Sequence, residues 1–528
     1  MASLLRSSAV ISSMTLLSRI LGFVRDMLLA RVFGASPATD AFFVVFKIPN
    51  FLRRLFAEGA FAQAFVPVLS EYREKSPREE LKDYIDHMFG TLAAVVALVV
   101  ALGISAAPLV ILLFAPGFSG DPTQQALAEH MLWITFPYLF FISLTAFAAS
   151  TLNAFGKFAM PALAPIWLNI ALIGATLLLA PHLAEPVMAL AWGVFLAGIL
   201  QLVFLLPFLA RLGLLPRPRF GRHSGVRKTI RLMLPAMFGA SVTQINLLVD
   251  TILASLLVAG SVSWLYYSDR LVELPLGVFG VAISTVILPK LSRAFSRTDQ
   301  GDFTGTLNWA IKFTLLLGLP MCAGLIVLAT PMLSTLFEYG SFSALDTHMV
   351  ALAMSAYALG LPAFLLIKIF APGFYARQDT KTPVKIGLVA VGANLAFKAL
   401  IVLPWIFLLG GHAAHVGLAL TTALAAWVNV SLLAVFLHRR GAWRPDPALW
   451  RFITQVLVAT LVMVAVLAWL QPAAPLWSSA TAAHRALWLA GLILGGAVLF
   501  TATAALVGLH PKAIWRGLRS TDAHRSPS

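Results

Sequence analysis

"FKIPNFLRRLFAEGAF" (46–61) places Lys47, Arg53, Arg54 and Glu58 beside Pro49 and Asn50 in a chain otherwise apolar enough to cross a bilayer. Of the 528 residues, 59% are hydrophobic and 11% charged. A soluble domain carries about 25% charged residues, so the composition is that of a polytopic membrane protein. Four such charges facing lipid would cost on the order of 10 kcal/mol. They must face protein or water, and the reading of the fold starts there.

A crossing helix needs about 20 apolar residues. Spans are expected near 8–33, 38–70, 84–114, 126–152, 160–180, 186–210, 232–258, 262–291, 305–329, 346–371, 382–407, 412–437, 450–470 and 485–509. The connections alternate in charge. The one after the sixth span holds Arg211, Arg217, Arg219, Arg222, Arg227, Lys228 and Arg231, and the later even-numbered ones are also basic. The odd-numbered ones near 115–125, 181–186, 259–263, 338–348, 408–415 and 471–484 have no Lys or Arg. That asymmetry predicts cytoplasmic N- and C-termini. The formal charge of +16 is thereby assigned to one membrane side and to anionic lipid headgroups rather than to nucleic acid. Arg19, Arg25 and Asp26 interrupt the first apolar run, so it reads as a retained span and not a signal peptide. The one cysteine, Cys322, rules out an intrachain disulfide.

The chain echoes itself. "FVPVLSEY" (65–72) matches "ILPKLSRA" (287–294), Pro161 falls on Pro383, Asp26 on Asp250, and "LPFLARLG" (206–213) on "LAVFLHRRG" (433–441). Partners lie six spans apart and therefore run the same way. The expected fold is an all-α polytopic membrane protein with fourteen transmembrane helices. Two parallel six-helix lobes (1–215 and 216–441) are related by a pseudo-twofold axis along the membrane normal, and two further helices and a basic tail follow (442–528).

Helical spacing aligns the buried polar groups. Ser8, Ser12, Thr15, Arg19, Gly22 and Asp26 form one stripe; Asp40, Phe43, Lys47, Asn50, Arg54 and Glu58 form another; Asp269, Arg270 and Glu273 cluster in the eighth span. Ion pairing is the plain structural alternative: Arg54 with Glu58 at i,i+4, and Arg270 with Glu273 at i,i+3. Arg19 and Arg53 have no carboxylate at those spacings. Guanidinium groups in a wet cavity between lobes suit a phosphate-bearing ligand. No GxxxxGK[ST], HExxH, CxxC or GxSxG occurs, which argues against an ATPase, a metal site or a hydrolase. His182, His412 and His415 are expected in solvated outward connections, and "REKSPREELKD" (73–83) as a solvated charge run.

"SRILGFVRDMLLARVFGASPATDAFFVVFKIPNFLRRLFAEGAFAQAFVPVLSEY" (18–72), "GSVSWLYYSDRLVELPLGVFGVAISTVILPKLS" (260–292) and "APGFYARQDTKTPVKI" (371–386) resemble the MurJ (MviN) family of bacterial lipid II flippases. The family sits within the multidrug/oligosaccharidyl-lipid/polysaccharide exporter superfamily. The resemblance implies a non-enzymatic transporter in the bacterial inner membrane, moving the undecaprenyl-pyrophosphate-linked disaccharide-pentapeptide by alternating access. It places the important cavity residues on Arg19, Arg25, Asp40, Arg53 and Arg270, with Asp26 and Glu58 close by; the four arginines are expected to bind substrate, and Asp26, Asp40 and Glu58, together with Arg54, Asp269 and Glu273 from the helical stripes, to act as supporting charges. It also implies a groove for the polyprenyl tail at the last two helices. No cofactor is expected; the membrane potential or a monovalent cation would drive the cycle. Expected partners are lipid II, anionic lipids and other cell-wall synthesis proteins. Some members of the family hold sodium with an Asp, an Asn and a second Asp. Here Asp250 and Asn394 match, but Lys398 stands at the third place: either its ammonium replaces the ion and pairs with Asp250, or its stem snorkels to an interface. The alternative is an exporter of another polyprenyl-linked oligosaccharide or of drugs.

Overall fold

A computed structural model describes residues 2–54, 60–297, 300–408 and 411–509, and among these there is no β-strand. It divides into two compact units, Met1–Ser263 and Trp264–Ser528. The first contains α1 (Ala2–Phe33), α2 (Pro37–Arg53), α3 (Ala60–Lys75), α4 (Arg78–Ser105), α5 (Ala107–Phe114), α6 (Pro122–Thr135), α7 (Tyr138–Ala154), α8 (Ala159–Leu163), α9 (Ile166–Gly174), α10 (Met188–Arg211) and α11 (Ser224–Ser255), and ends in the first turn of α12 (Ser261–Pro275). The second contains the rest of α12, then α13 (Val281–Ser296), α14 (Gln300–Val327), α15 (Ala329–Leu336), α16 (Ala344–Ala358), α17 (Leu361–Tyr375), α18 (Lys381–Phe397), α19 (Leu403–Leu408), α20 (Ala414–Arg439), α21 (Pro447–Leu470), α22 (Ala474–Ser479) and α23 (Ala482–Leu506).

Ten helical stretches among the described residues are long and apolar enough to cross a membrane. Helices α1, α2, α11 and α12 are not among them. These four carry the charges singled out in the sequence: Arg19, Arg25 and Asp26; Asp40 and Arg53; Asp250; and Asp269, Arg270 and Glu273. Breaks within stretches follow from proline and from π turns, which interrupt the i→i−4 ladder. Pro137 separates α6 from α7, a π turn at Leu276–Gly280 follows Pro275, and another at Lys398–Val402 follows α18.

Polar side chains close the helix ends at the connections. Ser36 accepts from the Thr39 N–H at α2, Asp121 from Thr123 and Gln124 at α6, and Thr481 from His484 at α23. Ser343 and Asp346 form a reciprocal capping box at α16. In the first unit Ala148, Leu152, Leu205 and Leu209 pack α7 against α10. In the second, Ile287, Leu291, Leu307, Ile369, Leu433 and Leu437 form a core shared by α13, α14, α17 and α20.

The division between the units falls at 263, well past the lobe boundary expected near 215, because α11 packs along α3 and α4. Tyr84 Oη meets Thr229 Oγ1 at 2.7 Å, Tyr72 Oη lies 3.4 Å from Ser224 Oγ, and Lys228 Nζ donates to Glu71 at 2.5 Å.

Two expectations are corrected here. His415 is buried, not solvated: its Nε2 lies 3.0 Å from the Met349 carbonyl oxygen and its ring packs 5.0 Å from Trp264. Its neighbours come from α12 and α16, far away in the sequence, which its place beside a connection could not reveal. His182 and His412 are exposed as expected. The run 73–83 is not simply solvated, because its end anchors the basic connection. Asp83 takes Arg219 at 2.5 Å, and Arg78 donates to the Leu212 carbonyl at 2.7 Å. Just beyond it, Asp86 accepts from the Arg217 N–H at 2.7 Å. Gly90 permits this approach, since a Cβ there would stand 2.2 Å from the Arg219 carbonyl oxygen.

Candidate functional site

In the first unit the charged stripe of α1 divides. Arg19 stands exposed, whereas Arg25 and Asp26 are buried. Arg25 donates from Nη2 and Nε to Asp26 Oδ1 at 2.6 and 2.9 Å, and from Nη1 to Asn169 Oδ1 at 2.9 Å. Asn169 returns a bond from Nδ2 to the Ser18 carbonyl at 3.1 Å, locking α9 onto α1. The guanidinium fork is thus oriented by two partners on two helices.

Asp40, one turn into α2, is also buried. Its carboxylate accepts from the Gly260 N–H at 2.7 Å, the Ser263 N–H at 2.8 Å and Ser263 Oγ at 2.6 Å. It therefore supplies the anionic cap that the first turn of α12 lacks in its own sequence. At the other end of α2, Arg53 is half-buried and lines a 350 Å³ cavity with Asn50, Asn153 and Gln201. Arg54 is exposed, and Glu58, its expected partner, lies outside the described residues.

In the second unit Arg270 Nη1 donates to Glu273 Oε2 at 3.1 Å, as the i,i+3 spacing predicted, and its guanidinium lies 5.0 Å from the Tyr266 ring centre. Asp269 and Glu273 are exposed. Asn394 and Lys398 are fully buried, one turn apart, where α18 passes into its π turn. Asp250, half-buried on α11, belongs to the first unit. A second, open cavity of 630 Å³ lies among α14, α15, α21 and α23, with Leu316, Pro320, Met463, Leu467, Leu492 and Phe500 among its lining residues. Its wall is almost wholly hydrocarbon.

Asp83, His87 and His223 bring three potential metal ligands within 4.8 Å of one another on the face that carries the basic connection. Their hydrogen bonds give them another role. His223 Nδ1 accepts the Gly225 N–H at 3.1 Å as the cap of α11, so its neutral ring keeps the proton on Nε2, which faces Asp83 at 3.7 Å. Burial lowers the His223 pKa, the neighbouring His87 adds to the lowering, and Asp83 works against it. Sequence reading missed this cluster because His223 comes from a distant segment, although Asp83 and His87 lie one helical turn apart. It also missed Asn169 and Gln201. Each is a lone amide in an apolar helix ("IWLNIALIG", "GILQLVF"), which was the available signal.

The described residues, helical with no strand, hold ten stretches long and apolar enough to cross a membrane, a buried Arg25–Asp26 pair, a cavity with polar side chains in its wall and an apolar groove, and so define a multi-pass membrane protein. The chain belongs to the MurJ family: residues 29–485 match the model described as "Lipid II flippase MurJ". It is 44% identical to the probable lipid II flippase MurJ of Vibrio cholerae, over 96% of this chain and 97% of that protein. It is 43% identical to the lipid II flippase MurJ of Burkholderia cenocepacia, over 88% and 90%. Among solved structures it resembles a lipid II flippase MurJ in an inward closed conformation, with a TM-score of 0.77 and 28% identity over 94% of this chain and 98% of that one. An inward-facing multidrug transporter of the MOP superfamily shares the fold at a TM-score of 0.60 and 14% identity, over 82% and 98%.

Proposed function

We propose that this chain is a lipid II flippase of the bacterial inner membrane, carrying the lipid-linked peptidoglycan precursor from the cytoplasmic to the periplasmic leaflet. The observation that carries this reading is the 44% identity to a MurJ relative along nearly the whole of both chains. In this reading the four charged helix regions at α1, α2–α3, α11 and α12–α13 cross the membrane with the ten apolar stretches, making fourteen. The spans form lobes 1–215 and 216–441 and an additional pair within 442–528, with both termini cytoplasmic.

The chemistry divides between two environments. Arg19, Arg25, Arg53 and Arg270 hold the pyrophosphate, because guanidinium forks match its oxygens and a low-dielectric surrounding strengthens the contact. Arg25, already oriented by Asn169, exchanges Asp26 for the phosphate. Asp26, Asp40, Arg54, Glu58, Asp269 and Glu273 tune and position these cations. The polyprenyl tail follows the apolar groove of the second unit, whose hydrocarbon wall offers it nothing to hydrogen-bond and so no reason to leave lipid. Binding neutralises the cationic cavity and favours closure and reopening on the other side. The membrane potential, acting at about 2.3 kcal/mol per charge per 100 mV, or a monovalent cation resets the cycle. Lys398 pairs with Asp250 where some relatives hold sodium. The basic connections contact anionic headgroups, and other cell-wall synthesis proteins supply and consume the substrate.

The test is complementation. Cells depleted of their own lipid II flippase and given this chain should grow and expose lipid II on the periplasmic leaflet. Continued lysis with lipid II trapped on the cytoplasmic leaflet, despite accumulation of the protein in the membrane, would refute the reading.

A further inference from the structure

We propose that the 350 Å³ cavity inside the first unit is a subsite for the acetamido group of the sugar attached directly to the pyrophosphate. The proposal rests on the flippase reading and deepens it. Gln201, on α10, is only 2% exposed, lines the cavity, and its Oε1 has no hydrogen-bond partner among the described residues. A buried amide left unsatisfied is costly, and such groups in a folded protein call for a specific explanation.

The rest of the cavity says what would satisfy it. Asn50 spends its Nδ2 on the Phe46 carbonyl at 2.8 Å, so it offers the space its Oδ1 acceptor. Arg53 and Asn153 add N–H donors, and Ala149 and Ala164 supply methyl-lined wall. Donors, acceptors and a small apolar face together match an acetamido group, which has one N–H, one C=O and one methyl. An isolated anion would leave the acceptors Asn50 and Gln201 opposed, and a hydrocarbon would leave all of them dry. Arg53 fixes the order along the ligand: if it holds the pyrophosphate, the next group outward is the first sugar. At 350 Å³ the space is at the small end for ligand pockets, suited to one sugar substituent and its ring rather than to a peptide chain.

The experiment measures binding to purified full-length protein in nanodiscs with three probes. They are lipid II, a lipid II analogue with a hydroxyl in place of the acetamido group on the first sugar, and sugar-free undecaprenyl pyrophosphate. Wild type should bind lipid II roughly tenfold more tightly than the hydroxyl analogue. Gln201→Leu, and Gln201→Met as a second near-isosteric variant, should bind both at the weaker affinity, so that the two losses do not add. Both variants should bind undecaprenyl pyrophosphate as wild type does, which also shows that they are folded. The proposal is overturned if either variant keeps full affinity for lipid II, if wild type does not distinguish the analogue, or if sugar-free undecaprenyl pyrophosphate is weakened equally. If wild type binds neither lipid II nor undecaprenyl pyrophosphate, the flippase reading itself falls, and this subsite with it.

Discussion

Arg25 keeps a guanidinium almost wholly out of water, and its bonds to Asp26 and Asn169 help make that tolerable. The side chains of Arg25 and Asp26 are 7% and 3% exposed. Removing one member of such a pair strands the other's charge, at a cost of about 3–5 kcal/mol, whereas removing both is often near neutral. Asp26→Ala is therefore expected to lower the stability of the detergent-solubilised protein by about that amount, and Arg25→Leu/Asp26→Leu to recover most of it. Denaturation midpoints of Asp26→Ala, Arg25→Leu and the double variant measure this, and simple addition of the two single losses would show that the pair is not a unit. Arg53 makes the contrasting case. It is half-buried at a cavity wall, so Arg53→Ala should leave accumulation in the membrane normal while abolishing growth in the complementation assay. Normal growth would remove Arg53 from the phosphate site. The periodicity of α1 placed Arg19, Arg25 and Asp26 on the polar side, yet it could not separate the exposed Arg19 from the buried pair. That division depends on Asn169, 144 residues away from Arg25.

At the scale of elements, the connection between α10 and α11 shows how a basic loop is held before it meets any lipid. Its backbone lies against α4 through Asp86 and the bare Gly90, while Arg217 and Arg222 in the connection and Arg227 and Arg231 in the first turns of α11 remain exposed. His223 caps α11 only while its Nδ1 is unprotonated. Its folded pKa lies below the unfolded value, so in the interval between them the unfolded chain binds more protons. The stability it contributes is full above about pH 6.5 and is lost as pH falls toward the folded pKa. The loop carboxylates do not blur this window. Asp379, bonded by Thr382 and Arg440, is held down at about 2, and Glu71 and Asp446 are lowered by Lys228 and Lys312, so all lose their contribution only in more acid solution. Thermal midpoints should fall between pH 7.5 and 5.5 in the wild type. His223→Asn, which keeps a capping acceptor without a titrating ring, should flatten that fall. An unchanged slope would assign it to other groups. The sequence marked this region as charged and stopped there, because helix spacing cannot say that Asp83 and Arg219 will meet.

For the whole molecule, the helices outside the ten long apolar stretches include the four that carry most of the groups assigned to transport. A bilayer tolerates such helices only where neighbouring protein or water shields them. Asn394 and Lys398 extend the same logic, as a buried amide and ammonium one turn apart on α18. If Lys398 takes the place of a sodium ion, the thermal midpoint of the purified protein should be the same in sodium and potassium chloride at equal ionic strength. A gain specific to sodium would show that the ion still binds. What the sequence determined by itself was the membrane class, the helical stretches and the family, because hydrophobic length and the chemistry of long motifs are properties of the chain alone. The tertiary structure decided the partners: Asn169 for Arg25, Ser263 for Asp40, Trp264 and Met349 for His415, and an empty-handed Gln201 at a cavity wall. A helix's periodicity fixes only the direction a side chain takes around its own axis. What it meets there depends on which distant segment packs alongside.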